Sequence, residues 1–159
     1  MLLSQTAEYA LRATAFMAAL PRGATLRAAD LSRVTGVPVH YLSKILRQLV
    51  ASRILAARKG HGGGFVLTKV PRRIRILDVL NASEFELLPN RCIFGWGRCN
   101  QDNPCPLHPI WTNFSQASTR WSTEMTLADV AAWNPAAAVR SLSSSPAKGG
   151  KRGRRPLRG

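Results

Sequence analysis

Apolar residues recur at helical spacing over the first fifty positions of this chain and then switch to alternation. Ala7, Ala10, Leu11, Thr14, Ala15 and Ala18 follow a 3.6-residue period behind Ser4, a competent N-cap, and Pro21-Arg22-Gly23 ends the helix. A second, shorter helix is predicted over about 26–35, burying Leu31 and Val34. Gly36-Val37-Pro38 then forces a tight break, with Pro38 suited to the first turn of the next helix. The third helix, about 39–52, has the strongest pattern. Tyr41, Leu42, Ile45, Leu46, Leu49 and Val50 make one apolar face, and His40, Ser43, Lys44, Arg47 and Gln48 are left pointing outward.

Beyond this helix, Ile54, Leu55 and Ala57 lead into Arg58-Lys59-Gly60-His61-Gly62-Gly63-Gly64, and Phe65, Val66 and Leu67 follow. Two short strands around a glycine-rich turn make a hairpin. Three helices followed by a basic hairpin describe a winged helix-turn-helix, a mainly α fold with a small β-hairpin wing. A further short helix is predicted over about 75–82. An irregular stretch from Phe85 to Pro109 holds all three cysteines.

A longer helix starts near Leu107, with Leu107, Trp111, Phe114, Ser118, Trp121 and Met125 on one stripe. Two Trp and one Phe are too apolar for a lone surface helix, so this long dimerisation helix is expected to pack against a second copy. Thr126 and Asp129 form a capping-box variant opening a last short helix that ends by Asn134-Pro135. Past about Leu142, Ser, Pro, Gly, Lys and Arg dominate, a composition that cannot bury a core and predicts a disordered tail. The expected division is 1–82 for DNA binding, 83–109 for the cysteine loop, 110–135 for the dimerisation helix and final short helix, and 136–159 for the basic tail.

Charge sharpens this picture. The 159 residues carry a formal net charge of +15, with 13 basic and 2 acidic residues in 1–75, 3 and 6 in 76–139, and 7 basic and no acidic residues in 140–159. A basic first half joined to a mildly acidic middle suits a polyanion-facing surface. Outward polar residues of a helix in the major groove can reach base edges, and His40, Ser43, Lys44, Arg47 and Gln48 are placed for this. Arg58, Lys59 and His61 of the wing stand among glycines that let the backbone approach phosphates or enter the minor groove. Thr6, Arg12 and Arg33 are candidates for added backbone contacts. The bland alternative is that these charges are solvated helix faces. Gly62-Gly63-Gly64 opens a strand and lacks a GK[ST] ending, so it is no nucleotide-binding loop.

No stretch approaches the roughly 18–20 apolar residues of a membrane helix, and no leader is recognisable at the start. Three cysteines, an odd number, argue against a secreted disulfide framework, and the expected location is cytoplasmic. Cys92, Cys99 and Cys105 have six and five residues between neighbours, and His108 follows the last. Three thiolates and an imidazole make a competent four-ligand set for zinc or an iron–sulfur cluster. The spacing differs from the paired CxxC of zinc ribbons and favours a cluster. Two other readings stand beside it. The cysteines could be small buried hydrophobes, with His108 merely capping the following helix. A cysteine–histidine catalytic pair would need an orienting carboxylate or oxyanion loop that is not visible, so the chain is expected not to be an enzyme.

Four segments together resemble a known family. Leu3 to Arg12 (LSQTAEYALR), Tyr41 to Leu46 (YLSKIL), Gly60 to Phe65 (GHGGGF) and Cys105 to His108 (CPLH) are similar, in the same order, to the IscR/NsrR-type bacterial winged-helix transcriptional regulators. The match covers about 1–133 and leaves the basic tail outside.

The resemblance implies a homodimer crossed by the long helix, bound to double-stranded DNA at near-palindromic operators. Cys92, Cys99 and Cys105 match the ligands of a 2Fe–2S or 4Fe–4S cluster in cluster-bearing members. His108 matches the fourth ligand of one subgroup. Glu8 matches the acidic ligand that the partner subunit supplies in another, and this chain keeps both. Relatives without cysteines respond to other signals, and that branch is disfavoured here. The expectation is a repressor whose DNA affinity is set by a cluster sensing nitric oxide, redox state or iron–sulfur status. The alternative is a zinc-stabilised or metal-free regulator with a structural cysteine loop.

Overall fold

The computed structural model describes residues 3–60, 62–85, 92, 94, 102 and 104–133. Three helices come first: α1 (Gln5–Ala18), α2 (Ala28–Thr35) and α3 (Val39–Ala51). A two-stranded antiparallel sheet follows, β1 (Leu55–Arg58) and β2 (Gly64–Leu67), pairing Leu55 with Leu67 and Arg58 with Gly64. A single 3-10 turn, Pro71–Arg73, precedes α4 (Ile76–Ala82), α5 (His108–Glu124) and α6 (Leu127–Ala132). This is the expected mainly helical winged helix-turn-helix.

α1 is the hub. Ser4 caps it by accepting from the Ala7 N–H at 3.2 Å, and Ala7, Ala10 and Ala13 are fully buried. With only methyl groups on that face, α3, α4 and α6 can all pack against α1. Thr14, also fully buried, satisfies its hydroxyl by donating to the Ala10 carbonyl at 2.8 Å. The core beneath α3 is filled by Leu42, Ile45, Leu46 and Leu49, joined by Leu31, Val37 and Leu80.

The turn between α2 and α3 works as the spacing predicts. Gly36 is left-handed at φ +70°, where its N–H reaches back to the Ser32 carbonyl, and Val37 is buried in the elbow. α2 begins two residues later than expected. Leu26 instead forms an isolated antiparallel bridge with Phe65, exchanging hydrogen bonds of 3.0 and 2.8 Å. That pairing spends the backbone groups a helical first turn would have used. Within α2 it is Thr35, not Val34, that is buried beside Leu31.

α6 returns to the same core. Leu127 is fully buried, its N–H donates to the Ile74 carbonyl at 2.9 Å, and Thr126 bridges to Arg75. The capping box appears as predicted, with the Asp129 carboxylate accepting from both the N–H and the hydroxyl of Thr126 at 2.8 and 2.7 Å. Those two bonds hold the Asp129 pKa below the usual carboxylate range.

Candidate functional site

α3 carries its outward residues as two parallel rows, Val39, Ser43 and Arg47 in one and His40 and Lys44 in the other. His40, Lys44 and Arg47 are exposed. Ser43 is half-buried and its hydroxyl donates back to the Val39 carbonyl at 2.9 Å, while Arg47 Nε donates to the Ser43 carbonyl at 3.0 Å. Two expectations for this helix need correction. Gln48 does not point cleanly outward: it is half-buried, and its Oε1 is a buried acceptor with no hydrogen-bond partner. Tyr41 does not join the buried face but is 43% exposed. Tyr9 of α1, half-buried at the margin of the core, offers the ring an edge-to-face partner at 5.9 Å. His40 lies 4.5 Å from the Tyr41 ring, and Gln5 Nε2 donates to the Tyr9 hydroxyl at 3.0 Å.

The wing is built by close backbone approach. The Gly63 N–H donates to the Gly60 carbonyl at 3.0 Å, closing the turn, and Thr25 Oγ1 donates to the Gly62 carbonyl at 2.8 Å, tying the hairpin to the segment before α2. A Cβ at Gly63 would lie 2.4 Å from the Arg58 carbonyl oxygen, and one at Gly64 would lie 2.6 Å from that of Leu26. Arg58 and Lys59 are exposed at the end of β1, and His61 lies outside the described residues.

Among the described residues the ion pairs are Arg12–Glu8 and Arg33–Asp30. Lys44, Arg47, Arg58 and Lys59 are in neither. An exposed cation without a carboxylate partner keeps its full field for an incoming anion. Arg12 and Arg33 are instead engaged within the fold, and Arg12 also donates to the Thr35 carbonyl at 3.3 Å.

The second site, the cysteine loop, is only partly described. Cys92 and Cys105 are half-buried and in no disulfide, while Cys99 lies outside the described residues, as do most of 86–103. Among the described residues no three metal-ligating side chains converge. The His108 N–H donates to the Cys105 carbonyl at 2.9 Å, a backbone bond that sets the third cysteine one turn before His108 at the start of α5. The free thiols of Cys92 and Cys105 and the His108 imidazole are donor types that fit soft-metal or cluster ligation. Glu8, the alternative ligand, is engaged by Arg12 one turn along α1.

α5 turns small polar residues inward and large apolar ones outward. It buries Ser115, Ser118 and Ser122, and exposes Leu107, Phe114, Trp121, Met125 and, most of all, Ile110 at 70%. Trp111 and Phe114 stack at 5.6 Å. Of the predicted stripe, then, Ser118 is inside, Trp111 is half-buried, and Leu107, Phe114, Trp121 and Met125 are exposed. Among the described residues no helix is long and apolar enough to cross a membrane.

These features agree with known proteins. Residues 3–132 match the family model named Rrf2, described as "Iron-dependent Transcriptional regulator". A protein of Mycobacterium tuberculosis named as an HTH-type transcriptional regulator is 33% identical over 132 residues, spanning 82% of this chain and 81% of that one. The HTH-type transcriptional regulator IscR of Cronobacter sakazakii is 27% identical over 130 residues, covering 82% and 80%. Among solved structures, CymR, the global cysteine regulator of B. subtilis, superposes with a TM-score of 0.70 at 20% identity, covering 83% of this chain and 97% of that one. The relatives are transcriptional regulators, not enzymes. This chain belongs to the Rrf2 family of transcriptional regulators.

Proposed function

We propose that the protein is a homodimeric, sequence-specific repressor whose operator affinity is set by an iron–sulfur cluster held by Cys92, Cys99, Cys105 and His108. One observation carries the cluster assignment. His108 opens α5 and Cys105 lies three residues before it, so whatever they bind bears directly on the helix whose apolar residues are exposed. When bound, the cluster supplies a redox- and nitric oxide-reactive centre. His108 is the assigned fourth ligand. Recruiting Glu8 of the partner subunit would first require opening its pair with Arg12.

The chain's own residues then connect α5 to the DNA face. At the far end of α5 the Met125 carbonyl accepts from the Ile76 N–H at 3.0 Å, so a shift of α5 is passed to the first turn of α4. α4 packs on α1 and α3 through Val79 and Leu80. In a dimer joined by the Ile110, Phe114, Trp121 and Met125 face, such a shift alters the spacing of two recognition helices. Coupling of about 1–3 kcal/mol is enough to change occupancy some 5–150-fold.

The proposed DNA-reading set is His40, Ser43, Lys44, Arg47, Arg58, Lys59 and His61, which would engage a near-palindromic duplex; half-buried Gln48 is left at its margin. The test is anaerobic purification with iron and sulfide assays, repeated on Cys92→Ala, Cys99→Ala and Cys105→Ala. Iron and sulfide in proportion, lost in the variants together with the change in DNA affinity, support the proposal. A colourless protein holding zinc would make the loop structural.

A further inference from the structure

We infer that Val39 is a specificity-determining residue that reads the 5-methyl group of thymine in the major groove; this rests on α3 being the DNA-reading helix. Val39 is the first residue of α3 and is 47% exposed. It lies in one row with Ser43 and Arg47, on a face that otherwise carries polar and cationic groups.

The core gives no reason for this valine. The space beneath α3 is filled by Leu42, Ile45, Leu46 and Leu49, each essentially inaccessible to water, and Val37 closes the elbow just before the helix. An isopropyl group left about half in water gains little from folding, but in the major groove it meets a matching surface. Thymine alone among the four bases presents a methyl group there, and the N-terminal residues of a recognition helix are the ones that contact base edges.

Local structure also prepares the contact. A β-branched side chain in a helix keeps essentially one χ1 rotamer, so little freedom is left to lose on binding. Beside the first turn, Tyr41 contacts both the His40 ring at 4.5 Å and the Tyr9 ring at 5.9 Å, and Gln5 donates to the Tyr9 hydroxyl. The Ser43 hydroxyl, bonded to the Val39 carbonyl, further fixes the backbone that carries the isopropyl group.

The experiment uses the full chain and a duplex it enriches from a random-sequence pool. That duplex is resynthesised with deoxyuridine replacing each thymidine in turn, which removes one methyl group and leaves base pairing intact. At one thymidine per half-site the wild type should bind the deoxyuridine duplex about fourfold more weakly, the worth of one buried methyl group. Val39→Ala should bind the thymidine duplex weakly by a similar factor and lose no further affinity to deoxyuridine at that position. At other thymidines it should respond like the wild type. Because the side chain is exposed and alanine is a better helix former, Val39→Ala should melt at or above the wild-type temperature.

Equal wild-type binding to every deoxyuridine duplex, or full methyl discrimination retained in Val39→Ala, would overturn the inference while leaving α3 as a DNA reader. Failure to enrich any duplex over the starting pool would overturn the DNA-reading assignment and this inference together.

Discussion

Replacing Gly64 by alanine tests how the wing is joined to the helix-turn-helix. Gly64 has φ +153°, and an added Cβ would sit 2.6 Å from the Leu26 carbonyl oxygen and 2.7 Å from its carbon. Those are backbone atoms and cannot turn aside, so the strand must move. Moving it breaks the reciprocal bridge in which Leu26 donates to Phe65 at 3.0 Å and Phe65 donates to Leu26 at 2.8 Å. Two broken hydrogen bonds and a non-glycine residue in a sparsely allowed backbone region together cost about 3–4 kcal/mol. In a domain of this size that lowers the melting temperature by roughly 10 °C.

Gly62 supplies the control. It has φ +76° but nothing within 4 Å of a Cβ, so Gly62→Ala carries only the left-handed penalty of about 1–2 kcal/mol. Asparagine tolerates that conformation, so Gly62→Asn should recover part of the loss, whereas Gly64→Asn should be no better than Gly64→Ala. The assay is thermal unfolding at fixed protein concentration, paired with DNA binding across a salt series. If Arg58 and Lys59 neutralise phosphates, a displaced wing should also flatten the log–log salt slope by about 0.9 for each phosphate no longer neutralised. Gly64→Ala melting within 2 °C of wild type, or Gly62→Ala matching its loss, would refute the reasoning, the first margin being roughly 1 kcal/mol or less.

Three further outcomes are expected. Lys44→Ala and Arg47→Ala should each weaken operator binding by about 1–3 kcal/mol if they contact bases, with the melting temperature unchanged; gel-shift titrations on the enriched duplex check this. Trp121→Glu, which puts a charge on the exposed apolar face of α5, should convert a dimer to a monomer in sedimentation velocity while the helical circular dichroism persists. The Asp129 carboxyl, held low by Thr126, contributes stability that is present above the ordinary carboxylate pKa and is lost as pH falls through its depressed folded value. Asp129→Asn should therefore show a smaller loss of stability than wild type on acidification below about pH 4 in melts at stepped pH.

The helix-turn-helix was legible because local chemistry and tertiary structure agree there. Gly36 does need a left-handed conformation, Leu42 to Leu49 do form the buried face, and Thr126 with Asp129 do make a capping box. Two misreadings come from partners distant in sequence. Leu26 has the periodicity of a helix start, but Phe65 claims its backbone. Tyr41 has the spacing of a core residue, but Tyr9 holds it at the surface. Leu127 follows the expected cap, yet nothing local says that it fills the core beneath α1. On α5 the aromatic stripe was visible, but not the burial of Ser115, Ser118 and Ser122, because small residues are buried wherever a neighbouring helix comes close.

The cationic half of the candidate site was legible as well, since Lys44, Arg47, Arg58 and Lys59 stand exposed as the outward positions implied. Val39 was not. It precedes the regular apolar pattern of α3, and only its exposure separates it from an ordinary core valine.

The central claim is that a cluster on the cysteine loop sets DNA affinity. The most direct test is operator affinity measured anaerobically on one protein sample before and after stoichiometric nitric oxide, with iron and sulfide quantified in the same sample. The account predicts a brown protein, affinity that changes at least about fivefold as the visible spectrum bleaches, and no change in Cys105→Ala. Unchanged affinity in a protein that demonstrably loses its cluster, or a wild-type protein with no iron or sulfide after anaerobic reconstitution, would contradict it.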